Sequence, residues 1–371
     1  MAHPLAGADL ATLARVFGDG GWPDRWSQTA GIWASALGRA PVTALEALAM
    51  RASLAPVGEM APPIFILGHW RSGTTHLYNT LVHGGFGYVP PLATGLPWEM
   101  FSIARAFRPL LEKALPQTRF IDKIPVTPTS PQEDEIALAN MSPISFYHGI
   151  YFPRVFDRLI DRGLFFEGLS AAEIAAWEAR FVYLMRKLAR HQGAPLMIKN
   201  PVYTARPARL RRLFPGAKFI HIHRNPFDVF LSMRNFYRKL LAQFALQRIP
   251  DGLDIDATIL RVYDQMMSRF DRETEAWCPP DFVELPYDML DTRPMEALEL
   301  IYDRLALSGF EAAAPKFEAY LATVARFEKN AFLGDAAAVE KVRTAWRPWI
   351  DRWGYHEPQP VLGSGVSRGT A

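Results

Sequence analysis

Apolar residues recur at helical spacing in "LATLARVF" and "VTALEALAMRASL", so residues 7–60 are expected to be helical. The pattern then changes. "PPIFIL" (62–67) is a continuous apolar run bounded by prolines and by Gly68, as expected of a strand covered on both faces. "TTHLYNTLVHGG" returns to the helical period and ends at Gly84–Gly85. Residues 88–130 are rich in Pro and Thr, with short helical patches such as "WEMFSIARAF". "TSPQEDEIALANM" carries a helix-start signature, with Ser130 as cap, Pro131 in the first turn and Glu133 closing a capping box.

A long amphipathic helix is expected over 170–192. Two strand-like runs follow, "APLMIK" (194–199) and "AKFIHIH" (217–223), separated by the helical "TARPARLRRLF". That succession is a right-handed βαβ unit with parallel strands. "RNPFDVFLSMRNFYRKLL" restarts a helix, with Asn225 as cap, Pro226 at the first position and Asp228 closing a second capping box. A helix over 256–276, a strand "DFVELP" (281–286) and helices near 294–306 and 337–352 complete the pattern. The tail "GSGVSRGTA" is expected to be disordered. Alternating strands and helices give an α/β fold with a mainly parallel sheet, whose ligands sit beyond the carboxyl ends of the strands.

Composition narrows the function more than the fold. With 49% hydrophobic residues and 12% aromatics in 371 residues, the chain can bury a large core. A net charge of +3 and the lack of a long basic run argue against nucleic acid as a partner. The single cysteine, Cys278, rules out an intramolecular disulfide and a cysteine-based zinc site, and is expected to be a buried structural thiol. The N-terminus lacks the basic start and apolar stretch of a signal peptide, and no apolar run is long enough to span a membrane, so a cytoplasmic location is expected. Only nine of the 41 basic residues are lysines, so each lysine inside a motif is informative.

The loop "GHWRSGTT" (68–75) follows the first strand and opens a helix, the arrangement that offers backbone N–H groups and a helix dipole to an anion. Gly68 and Gly73 permit the tight turn, while Arg71, Ser72, Thr74 and Thr75 add side-chain donors. An ATP-using loop has lysine where Thr74 stands, and an aspartate at a strand end to help hold magnesium. Here the later strand-like runs end in Lys199, in Arg224 and in "ELP". Metal-free neutralisation by Lys and Arg suits a sulfuryl group, which carries less negative charge than a phosphoryl group. A second anion motif follows the third strand: Arg224, then Ser232 eight residues later on the succeeding helix.

Taken together these residues resemble the sulfotransferase family that uses 3′-phosphoadenosine 5′-phosphosulfate. Arg71–Thr75 match its "RSGTT" loop, and Arg224 with Ser232 match its 3′-phosphate pair. "LPYDML" (285–290), containing Tyr287, resembles a family segment after a late strand. "FEKNAFLG" (327–334), containing Lys329 and Asn330, and "WRPWIDRWGY" (346–355) resemble C-terminal segments of a bacterial branch. "IKNPVYTARPARLRRLFPGAKFIHIHRNP" resembles tyrosylprotein sulfotransferases, with Lys199 at the lysine that acts on the sulfuryl group. The resemblance implies a P-loop-like fold over 61–356, with 1–60 as a helical N-terminal extension and 357–371 as the tail. It implies in-line sulfuryl transfer to a hydroxyl, or less readily an amine, with Arg71 and Lys199 neutralising charge and Gly73, Thr74 and Thr75 holding the 5′-phosphate. The competing readings are a P-loop nucleoside-phosphate kinase and a catalytically silent nucleotide-binding module.

The general base is open at this level. Glu133 lies near a helix start, Asp134 and Glu135 read as solvated charges, and Glu99 lies where tyrosylprotein sulfotransferases carry a glutamate. The surroundings of Glu99, "GLPWEMF", depart from that pattern. His76 either faces the acceptor or packs beneath the loop. His221 and His223 read as core or strand-end residues, and no grouping has metal-ligand spacing. Residues 86–125 and 141–170, rich in aromatics, are expected to wall an apolar pocket for a small-molecule or lipid-like acceptor. A homodimer is possible.

Overall fold

The structure is a computed structural model that describes residues 3–116, 118, 126–324 and 336–357. The expected tail beyond Glu357, and Lys329 with Asn330, lie outside the described residues.

Four parallel strands form one sheet in the order β2-β1-β3-β4: β1 Ile64–Leu67, β2 Met197–Lys199, β3 Lys218–His223 and β4 Phe282–Pro286. All four residues of β1 are buried, as expected for a central strand covered by helices on both faces. The register sets Ile66 beside Lys199 and Leu67 beside His221. The expected parallel β2–β3 unit is present with one refinement: β1 lies between those two strands, so their crossover passes over it. Every strand ends on the same edge, and the loops leaving β1, β2, β3 and β4 therefore share one rim.

Helices α1 (Leu10–Gly20) and α2 (Trp26–Ser53) precede the sheet, and α3 (Thr74–Leu81) follows β1 directly. The N-terminal helices contribute Leu13, Val16, Ile32 and Ala36 to a core that also contains Phe146, Tyr151, Phe152 and Phe156. Those aromatics of the 141–170 segment are packed in this core rather than lining an open pocket, because the helices Phe146–Tyr151 and Phe156–Phe165 turn them inward. The long helix Ala171–Gln192 is capped by Ser170 and Glu173 in a complete capping box.

Two local expectations are corrected. The helix read as starting near Pro131 begins at Glu135, with Asp134 at its cap position, so Glu133 closes no capping box. Ser130 Oγ instead accepts from the N–H of Thr127 at 2.8 Å. Cys278 is exposed rather than buried, because it stands in the turn between the Ile255–Thr274 helix and β4. Its carbonyl, not its thiol, is engaged there, accepting from Asp281 N–H at 3.1 Å.

Candidate active site

The loop after β1 is shaped by its glycines. Gly68 has φ 142° and Gly73 φ 96°, both in the region that favours glycine. A Cβ at Gly68 would stand 2.4 Å from the carbonyl of Ile222, and one at Gly73 would stand 2.2 Å from the Tyr287 ring. Gly68 N–H donates to Thr204 Oγ1 at 2.8 Å, and Ser72 Oγ donates to the His69 carbonyl at 2.7 Å, which closes the turn. Arg71 also has a positive φ, 71°, a strained conformation for a residue with a side chain. Thr74 and Thr75 then open α3, so the positive end of the helix dipole stands at the rim.

Arg71 Nε donates to Ser232 Oγ at 2.7 Å, and Arg224 Nη1 reaches the Arg71 carbonyl at 3.5 Å. The two anion motifs of the sequence are thus one continuous structure. Arg224 lies over the Tyr287 ring at 4.8 Å and donates to Asp228 Oδ2 at 3.3 Å. Asp228 therefore pairs with Arg224, while Asn225 alone caps the helix Pro226–Phe244 by accepting from Phe227 N–H. The Tyr287 hydroxyl donates to Asp291 Oδ1 at 3.2 Å, and burial pushes its pKa up to about 12, so it stays protonated.

Lys199, at the end of β2, is 2% exposed. It donates to Thr75 Oγ1 at 3.2 Å and forms an ion pair with Glu133. Behind this pair lies a buried polar network that the sequence did not disclose. Asn200 Nδ2 donates to Asp134 Oδ1 and Glu135 Oε2, both at 3.0 Å, and the Tyr203 hydroxyl donates to Asp134. Ser145 Oγ and Phe146 N–H donate to Glu135 Oε1 at 2.7 and 3.0 Å. Asp134 and Glu135, expected to be solvated, are buried. Burial raises the Asp134 pKa to about 7 against the hydrogen bonds from Tyr203 and Asn200, and also raises that of Glu135. The sequence signal was present only in part: "KNP" and "EDE" are each short polar clusters, but nothing local says that they meet.

The remaining expected residues divide. His76 is partly buried on the first turn of α3, beside Thr75. Glu99 does not join the rim residues. It is fully buried against α2, where Arg39 Nη1 donates to its two oxygens at 2.7 and 2.8 Å and Thr43 also donates to it. His221 is buried on β3 and hydrogen-bonded to Glu284 across the sheet at 2.7 Å. His223 stacks on Trp353 at 4.5 Å, and burial, with His221 close by, lowers its pKa to about 3. Among the described residues no group of three or more His, Cys, Asp or Glu side chains could hold a metal ion.

The sulfotransferase family model matches residues 62–312, from the first strand past the fourth. This chain belongs to the sulfotransferase family. It is 30% identical over 305 residues, 81% of this chain and 77% of the other, to the omega-hydroxy-beta-dihydromenaquinone-9 sulfotransferase Stf3 of Mycobacterium bovis, and equally to that of Mycobacterium tuberculosis. Among solved structures, sulfotransferase STF9 of Mycobacterium avium matches with TM-score 0.63 at 16% identity, covering 81% of this chain and 78% of that one. Sulfotransferase STF1 of Mycobacterium tuberculosis matches with TM-score 0.60 at 17% identity, covering 84% of this chain and 85% of that one. The fold is shared with both. This sulfotransferase has an α/β architecture with a phosphate-loop-like turn after its first strand, as the motifs had implied.

Proposed function

We propose that this sulfotransferase moves a sulfuryl group from 3′-phosphoadenosine 5′-phosphosulfate to a hydroxyl of a lipid-like small molecule, without a metal. The observation that carries the reading is the common rim: the loop 68–75, Lys199 and Arg224 leave three adjacent parallel strands at the same edge. Gly73, Thr74 and Thr75, with Ser72, hold the 5′-phosphosulfate through the loop and the α3 terminus. Arg224 and Ser232 hold the 3′-phosphate, with Arg71 bridging the two ends and Tyr287 flanking them; Lys329 and Asn330 complete the nucleotide site by resemblance. Lys199 stabilises charge on the transferring group, and Glu133, its partner, takes the acceptor proton. His76 stands beside them as an acceptor contact. Residues 61–356 act as the catalytic unit, with 1–60 as an extension.

The lipid-like acceptor is supported by the name of the mycobacterial relative, a sulfotransferase of a hydroxylated menaquinone. The test is transfer of labelled sulfuryl from the nucleotide to long-chain prenyl alcohols, run with and without excess chelator. Transfer unaffected by chelation is expected. Loss of transfer on chelation overturns the metal-free reading, and binding of ATP in preference to 3′,5′-adenosine bisphosphate by calorimetry overturns the donor.

A further inference from the structure

The outer face of α2 has no role in the site. Inward, this helix buries Ile32, Ala36 and Met50 together with two satisfied charges, Arg39 on Glu99 and Glu46 on Lys187. Outward, every exposed position from Trp26 to Ala49 is uncharged. Leu37, Leu45 and Leu48 are each more than 60% exposed. At 1.5 Å per residue the stripe is about 35 Å long. Isolated exposed leucines need no explanation, but an uncharged face of this length, whose one exposed polar side chain is Ser27, does.

Both of its ends carry exposed arginines, and the start adds two tryptophans. At the start, Trp22 and Trp26 lie 6.0 Å apart, 78% and 58% exposed. Their loop is pinned down, because the N–H groups of Asp24 and Arg25 both donate to the Leu246 carbonyl. Exposed Arg25 and Arg248 stand there, while the neighbouring acid, Asp24, is held by Arg154 at 2.7 Å. At the far end, exposed Arg51 lies in the last turn and Arg190 donates to the Ser53 carbonyl at 2.8 Å.

We propose that this face of α2 rests on an anionic lipid surface, with Leu37, Leu45 and Leu48 turned into the acyl boundary. Tryptophans favour the headgroup level, and arginines at both ends meet lipid phosphates. A second copy of the chain fits less well. Pairing two such faces in either direction sets cationic ends against cationic ends, which repel. The purpose rests on the lipid-like acceptor: an enzyme seated on the bilayer meets such a substrate where it resides.

The test is flotation with vesicles of phosphatidylcholine containing phosphatidylglycerol. The wild-type protein is expected to float with them, and the triple variant Leu37→Glu, Leu45→Glu, Leu48→Glu to lose at least tenfold of the bound fraction. Binding of 3′,5′-adenosine bisphosphate by that variant, unchanged, verifies its fold. The variant Arg25→Glu, Arg51→Glu is expected to bind anionic vesicles several-fold less. The proposal is overturned if the wild type stays with the unbound fraction, or if the triple variant floats equally well. It is also overturned if the wild type has twice the mass of one chain in solution and the triple variant is monomeric. Vesicle binding without transfer to any prenyl alcohol upholds the surface and removes the acceptor reading; transfer in detergent without vesicle binding does the reverse.

Discussion

Lys199, at the end of β2, is ion-paired with Glu133, 66 residues earlier in the chain, in a nearly buried contact ahead of the Glu135–Met141 helix. The pair joins a rim lysine that donates to Thr75 to the carboxylate proposed above as the general base. Glu133→Gln keeps the hydrogen bond to Lys199 but cannot accept a proton. It is expected to lower single-turnover transfer by about 10²-fold, as for loss of a general base. Lys199→Ala is expected to lower it by about 10²–10³-fold while the protein still folds. Rates near wild type for both variants would remove these assignments.

The Arg71–Ser232 hydrogen bond ties together the two motifs proposed to hold the nucleotide. Ser232→Ala is expected to weaken binding of 3′,5′-adenosine bisphosphate about tenfold, the worth of one net hydrogen bond at the upper end. Arg224→Ala removes a charged donor and is expected to weaken it by about 10–100-fold. Titration calorimetry checks both, and adenosine 5′-phosphate, lacking the 3′ group, should bind the wild type and Ser232→Ala alike.

Gly73→Ala sets a Cβ 2.2 Å from the Tyr287 ring at a φ of 96°. Nucleotide binding is expected to be lost and the melting temperature to fall. The double variant Gly73→Ala, Tyr287→Ala relieves the clash but not the backbone strain, so recovery should be partial. Full recovery would mean that the ring contact alone matters.

Glu99 is bound to Arg39 in a buried pair that locks α2 to the 97–102 segment. Glu99→Ala leaves the Arg39 charge without its carboxylate partner, and a loss of about 3–5 kcal/mol of stability is expected from chemical denaturation. Turnover per folded molecule is expected to stay near wild type. A hundredfold loss of kcat with stability unchanged would instead return Glu99 to the list of bases.

Asp134 gives a pH signature. Its pKa is raised from 3.8 to about 7, chiefly by burial, so the folded protein holds this proton more tightly than the unfolded chain does. The contribution to stability is therefore full below about pH 4 and is lost as pH rises toward 7 and beyond. Glu135 has the same sign, while Arg206 favours its ionised form. Asp134→Asn is expected to flatten the fall in stability between pH 4 and 7, measured by denaturant melts across that window. An unchanged slope would show that the group does not titrate there.

Much of the rim was legible because its signals are local. A continuous apolar run, a glycine turn and a helix start within fourteen residues (62–75) specify strand, loop and dipole without reference to the rest of the chain. The same holds for Lys199 and Arg224, whose places at strand ends follow from the strands themselves. The capping boxes at Ser130 and Asn225 were misread for an equally local reason. Glu133 and Asp228 can serve a helix start or a cation, and each pairs with a cation instead, Glu133 with Lys199 66 residues on and Asp228 with Arg224 at the i,i+4 spacing.

The sequence by itself determined the strand edges, the anion loops and the family, since periodicity, turn chemistry and motif spacing are properties of neighbouring residues. Only the tertiary structure decided which charges satisfy which. Asp134 and Glu135 became buried acids on Asn200, Glu99 became the anchor of Arg39, and one face of α2 was left uncovered. A buried charge is tolerable only with a partner, and for Glu99 and Asp134 that partner lies 60 or more residues away, where no local pattern reaches.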